Sequence, residues 1–163
     1  MTAATLRADA TLSPCGTYRY RLTREWDDAR PLLPFVMLNP STADASMDDP
    51  TIRRCMGFAR RDGFGGIIVV NLYALRATDP KRIALHPNPE GPENMAHLDA
   101  LASQSATGGT PIVCAWGAHA PGRGAYVSGR LLRQGASLVC LGRTKDGHPR
   151  HPLYVRGDQM MEP

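Results

Sequence analysis

The chain has 163 residues, 42% hydrophobic and 21% charged, with a formal net charge of +4. That balance excludes a disordered chain and fits one globular domain over residues 1–163, large enough to bury a core without a disulfide or metal staple. No run approaches the roughly 18 apolar residues of a membrane helix, and MTAATLRADATLSP lacks the apolar stretch of a secretory signal, so a cytoplasmic protein is expected.

The four cysteines, Cys15, Cys55, Cys114 and Cys140, contain no close pair. Three sit among apolar neighbours and read as buried thiols in a reducing compartment, and no metal centre is expected. The pI of about 9.1 is compatible with a polyanion partner without requiring one.

In chain order, residues 1–14 read as loosely ordered. Gly16–Arg24 alternates apolar and polar residues as a half-exposed strand does. Phe35–Leu38 is a short apolar run that stops at Asn39-Pro40. Asp49–Arg61 reads as a helix, with Asp49 as N-cap, Pro50 in the first position and Ile52, Cys55, Met56 and Ala59 on one face. Gly66–Leu72 is β-branched and apolar on both faces, as a central parallel strand is. Asn88–Ser105 reads as a helix, Pro111–Trp116 as a strand, Gly122–Gln134 as a helix stopped by Gly135, and Ser137–Leu141 as a last strand before a polar loop over Arg143–Tyr154. Strands alternating with helices predict an α/β domain with a central, mostly parallel sheet covered on both faces.

Ligands of such sheets bind at the carboxyl ends of the strands. Those ends carry Asn39-Pro40-Ser41, Asn71-Leu72-Tyr73, Gly117-Ala118-His119 and the loop Gly142–His151. Asn39 reads either as a group orienting a water or as a turn former before proline. Asn71 interrupts an apolar run, so its amide must find partners, in a ligand edge or in neighbouring loops. His151 reads as a hydrogen-bond donor to a developing anion, or as a solvated loop residue. Gly117–Gly124 with Arg123 can cradle a phosphate at a helix N-terminus, or be a plain turn. Arg53 and Arg54 read as an exposed helix face paired with Asp48 and Asp49 rather than as phosphate contacts, and Met160-Met161 has no evident role.

Four segments together resemble the domain-of-unknown-function family 1643: Met37–Asp44 (MLNPSTAD), Asp48–Arg54, Asn71–Pro80 (NLYALRATDP) and Leu141–Tyr154 (LGRTKDGHPRHPLY). More distantly the chain resembles the uracil-DNA glycosylase superfamily. Met37-Leu38-Asn39-Pro40 is similar to its first motif, Ile68–Leu72 to its central strand ending in a base-reading asparagine, and Ala115–Ala120 (AWGAHA) to its Leu-Trp-Gly-x-x-Ala segment. His148–Leu153 (HPRHPL) is similar to its late His-Pro-Ser-Pro-Leu motif, with one residue extra.

This second resemblance implies a three-layer α/β/α sandwich and cleavage of the N-glycosidic bond of a modified or damaged pyrimidine in DNA. Asn39 and His151 are then the catalytic pair, and Asn71, Tyr73, Ser41 and His119 bind the base. Gly117, Arg123, Arg150 and Lys145 meet phosphates, and Leu153 with Tyr154 forms a wedge in the vacated space. No cofactor or metal is implied, and the expected partner of a monomeric protein is DNA or a nucleotide. Asn39 stands where the superfamily has a catalytic aspartate. That substitution supports one alternative, a non-catalytic nucleotide- or nucleic-acid-binding module, and the compactness and modest charge of the chain suggest another, an enzyme acting on free nucleosides or nucleotides.

Overall fold

The computed structural model describes residues 5–163. Its elements are β1 (Arg7–Leu12), β2 (Arg19–Glu25), β3 (Leu32–Met37), α1 (Pro50–Arg61), β4 (Gly66–Asn71), α2 (Lys81–Leu85), α3 (Asn94–Gly108), β5 (Ile112–Cys114), α4 (Pro121–Arg133) and β6 (Leu138–Cys140), followed by a 3-10 turn at Pro152–Tyr154. The strands form one sheet in the order β1-β2-β4-β3-β5-β6.

The chain is therefore α/β, but the sheet is mixed rather than mostly parallel. Strands β4, β3, β5 and β6 are parallel neighbours, whereas β1 and β2 add two antiparallel pairings at the β4 side. The physical reason is local. A β1–β2 hairpin needs only a short connection, while every parallel pairing needs a crossover. The expectation of loose order over residues 1–14 falls partly on residues 1–4, outside the described set. For the rest it is corrected, because Arg7–Leu12 is a strand. Its side chains are largely exposed, so hydrophobic pattern gave no signal; the backbone ladder to β2 and an Arg7–Glu25 ion pair hold it.

Every residue of β4 is buried, as its apolar, β-branched composition requires. One face of the sheet (Leu33, Phe35, Ile67, Val69) packs on Ile52, Cys55, Phe58 and Ala59 of α1. The other (Val36, Ile68, Val70, Ile112) packs on Leu98 and Leu101 of α3 and Val127 and Leu131 of α4. Helix α1 begins as its sequence dictates: the Asp49 side chain accepts from Ile52 N–H, and Pro50 occupies a position that needs no donor.

The helix expected from Asn88 starts at Asn94 instead. The segment before it is tied down as a loop, with Tyr18 Oη donating to Asn88 O at 2.7 Å and Gly91 lying against the Tyr18 ring at a φ of +84°. A Cβ there would sit 2.9 Å from Tyr18 Cδ1, so close approach and backbone conformation both call for glycine. The short α2 was not anticipated. The tail has a role after all: Glu162 bridges Cys140 on edge strand β6, and Met161 packs against the α1-side core. Cys55, Cys114 and Cys140 are buried thiols, and Cys15 is exposed. No helix among the described residues is long and apolar enough to cross a membrane.

Candidate functional site

Strands β3 and β4 end in register, Met37 beside Asn71, and their exits stay paired for two more residues through Leu72 N–H to Met37 O (2.9 Å) and Tyr73 N–H to Leu38 O (3.1 Å). Past that level the loops diverge. On the α1 face they leave a cavity of about 490 Å³, bounded by the N-terminus of α1 and by the 144–154 loop. Asn39, Asn71 and His151, distant in sequence, all line it.

Asn71 is the last residue of β4 and only 1% exposed. Neither its Nδ2 nor its Oδ1 has a hydrogen-bond partner among the described residues. The partners that burial led one to expect are therefore absent among the described residues, and the amide presents an unused donor and an unused acceptor beside a cavity. A buried amide left so costs on the order of 1–3 kcal/mol. The backbone around it is firmly held: Asn94 of α3, fully buried, donates from Nδ2 to Asn71 O (2.9 Å) and Leu72 O (3.3 Å).

Asn39 is committed differently. Its Nδ2 donates to Pro40 O (2.9 Å), Ala77 O (2.8 Å) and, at 3.4 Å, Leu75 O, stitching the β3 exit to the loop that follows β4. Only its Oδ1 is left for a water or a ligand.

His151 lies across the cavity at the N-cap of the 3-10 turn. Its Nδ1 accepts from Leu153 N–H at 3.2 Å, which places the proton of the neutral ring on Nε2. Burial holds its pKa below the ordinary histidine value; Asp49 opposes that shift and His119 adds to it. The ring is thus a neutral donor through Nε2. Gly117 shapes this corner. It adopts a φ of +75°, which favours glycine, donates to Pro149 O at 2.9 Å, and packs against the His151 side chain.

Two charged lining residues escaped the sequence reading as site groups: Arg19 and Asp49. Arg19 opens β2, and an antiparallel neighbour of β4 starts where β4 ends, so its first residue arrives at the site. Pattern alone sends it elsewhere. Leu22 and Arg24 face α1, where Leu22 joins that core and Arg24 pairs with Asp48, so strict alternation would put Tyr20 on that face and Arg19 on the other. A register shift between β1 and β2 passes over Tyr20 and reverses the two. Tyr20 stacks on His97 of α3 with centroids 5.2 Å apart, and Arg19 turns into the cavity. Asp49 was recognised as an N-cap, and its Oδ1 does accept from Ile52 N–H (2.9 Å) and its Oδ2 from Ala43 N–H (3.3 Å). Among the described residues it is also the one carboxylate in the cavity wall.

Ser41, His119, Gly117 and Arg150 line the same space, and Leu153 and Tyr154 stand at its rim, 43% and 77% exposed. Tyr73, Arg123 and Lys145 are not brought there. Tyr73 borders a separate depression with His86 and His119, where burial raises its phenol pKa. Arg123 donates from Nε to Leu72 O (3.3 Å), pairs with Glu90 at 3.4 Å and lies over the Tyr73 and Tyr126 rings, so it braces the strand end. Lys145 is exposed at the tip of its loop.

Arg54, read as an exposed helix face paired with acids, is half-buried instead and donates to Pro152 O at 3.3 Å and to Val155 O, fastening the His151 segment to α1. Among the described residues no cluster of three or more His, Cys, Asp or Glu side chains is arranged to hold a metal ion.

A family profile described as "Protein of unknown function (DUF1643)" matches residues 19–153. Comparison with curated proteins returns no match. The match begins at Arg19 and ends at Leu153, so it takes in the whole cavity wall except Tyr154.

Proposed function

The chain belongs to this family of proteins of unknown function, and we propose from its site that it hydrolyses the N-glycosidic bond of a modified or damaged pyrimidine in DNA. In this reading the sheet and its two helical layers form a three-layer sandwich of the uracil-DNA glycosylase kind. The observation that carries the proposal is Asn71: a buried carboxamide with both polar atoms unused among the described residues, at the end of the central strand, beside a cavity of about 490 Å³, large enough to admit a base with its sugar. A carboxamide pairs bidentately with the donor–acceptor edge of a pyrimidine.

The remaining groups fit the charge changes of such a reaction. As the glycosidic bond breaks, its electron pair goes to the base and the sugar gains oxocarbenium character. The neutral His151 donates from Nε2 to the departing base. Asn39 Oδ1 accepts a hydrogen bond from the attacking water. Asp49, the carboxylate in the wall, stabilises the sugar cation and receives the proton that water releases. Leu153 and Tyr154 at the rim occupy the space the extruded nucleotide leaves, and Arg150 meets the strand backbone.

A second reading is favoured by Asn39, whose amide nitrogen is consumed by loop carbonyls and whose oxygen is a weak base. There the cavity holds a nucleotide or a nucleic-acid end without chemistry. Incubation with duplex and single-stranded oligonucleotides carrying a wide panel of pyrimidines, followed by assay for abasic sites, separates the two. Abasic product that disappears in Asn71→Ala supports hydrolysis. Retention of the oligonucleotide in a steeply salt-dependent manner with no product supports the binding module.

A further inference from the structure

Two arginines of β2 are equally buried, Arg19 at 2% and Arg24 at 1% exposure, yet only one is satisfied. Arg24 pairs with Asp48 at 2.7 Å and donates to the carbonyls of Asp44, Met47 and Thr23. Arg19 makes no ion pair among the described residues. Its Nη1 donates to Ala43 O at 2.8 Å, and its Nε has no acceptor among the described residues. A guanidinium withdrawn from water without a carboxylate is destabilised, and the missing counter-charge is the natural complement of such a site.

The shift in register that turns Arg19 toward the cavity adds weight, because a plain strand would have placed it on the α3 face. The attraction of Asp49 offsets part of the cost of burying this charge, but the two form no ion pair, and both Asp49 oxygens are engaged by backbone N–H groups. Burial draws the Arg19 pKa down to about 10, which still leaves it charged at neutral pH.

We propose that Arg19 seats an oxyanion carried by the ligand, and that this group sits on the pyrimidine ring, so that the cavity takes an acidic pyrimidine such as a ring carboxylate. This rests on the base-binding reading above for the rest of the ligand. Depth decides between ring and sugar phosphate. Arg19 is buried with Asn71 at the strand ends, while the exposed Arg150 is the cation placed where a phosphate at the mouth would lie. The planar guanidinium matches a carboxylate in shape as well as charge.

The test compares two ligands of nearly the same shape on the full chain, uracil-5-carboxylate and uracil-5-carboxamide, by calorimetry, with uracil, uridine monophosphate and inorganic phosphate alongside. The expected result is about tenfold or greater preference for the carboxylate, abolished in Arg19→Gln and partly kept in Arg19→Lys. Should Arg19→Gln fail to fold, the wild-type pair of ligands decides alone. Equal binding of carboxylate, carboxamide and uracil overturns the Arg19 assignment and leaves the base pocket standing. Binding of uridine monophosphate without the carboxylate also overturns it, by moving the anion to the sugar. Inorganic phosphate binding as well as the carboxylate supports an anion seat at Arg19 but removes the base reading. No binding of any probe removes both.

Discussion

Asn39 Nδ2 donates to Ala77 O at 2.8 Å and so joins the loop leaving β3 to the loop leaving β4, across the rim of the cavity. In all, the Asn39 amide is a donor to three carbonyls. An aspartate would present acceptors to acceptors. Asn39→Asp is therefore expected to destabilise the fold by about 1–3 kcal/mol, as is Asn39→Ala. Neither is expected to raise any hydrolytic activity. Urea denaturation measures the first point. An Asn39→Asp variant as stable as the parent would show that these three bonds carry no weight.

Asn71 predicts the opposite balance between stability and function. Because its amide is buried without partners, Asn71→Leu replaces an unsatisfied polar group by an apolar one of similar volume. Unliganded stability should stay level or rise by up to about 1 kcal/mol, while pyrimidine binding is lost. A large loss of stability instead would mean that the amide has structural partners.

His151 makes stability depend on pH in a definite direction. Its folded pKa lies below the ordinary value of 6.5 because burial disfavours the charged ring. Both states are neutral well above 6.5, and there its contribution is complete. As the pH falls below 6.5 the unfolded chain takes the proton first, so stability declines until the folded pKa is passed. His97 is shifted the same way by burial and adds to the slope. A proton NMR titration of the His151 ring should give a midpoint below 6.5, and His151→Gln should flatten the stability profile in that range. A midpoint above 6.5 would mean that Asp49 outweighs burial.

Arg54 should matter for the site without touching a ligand. Its bonds to Pro152 O and Val155 O are the link between α1 and the His151 segment. Arg54→Ala is expected to cost about 1–2 kcal/mol and to speed amide exchange selectively over residues 151–155. Exchange that rises uniformly across the chain would assign the loss to general destabilisation.

Much of the frame was legible in the residues. Asp49 followed by Pro50 marks a helix start, and Gly66–Asn71 can hardly be anything but a central strand, because local propensity, capping and burial pattern agree there. The strand-end positions of Asn39 and Asn71 and the loop position of His151 followed from the same boundaries. The β1–β2 hairpin was not legible, since an exposed edge strand is held by backbone bonds that have no side-chain signature.

The sequence by itself determined which chemical groups stand at the ends of the strands, because strand limits depend on neighbours in the chain. Only the tertiary structure decided what those groups face. Whether an amide is satisfied, as Asn39 is and Asn71 is not, depends on residues tens of positions away. The direction of Arg19 depends on a register shift between two strands, which is a property of the pair and of neither strand alone.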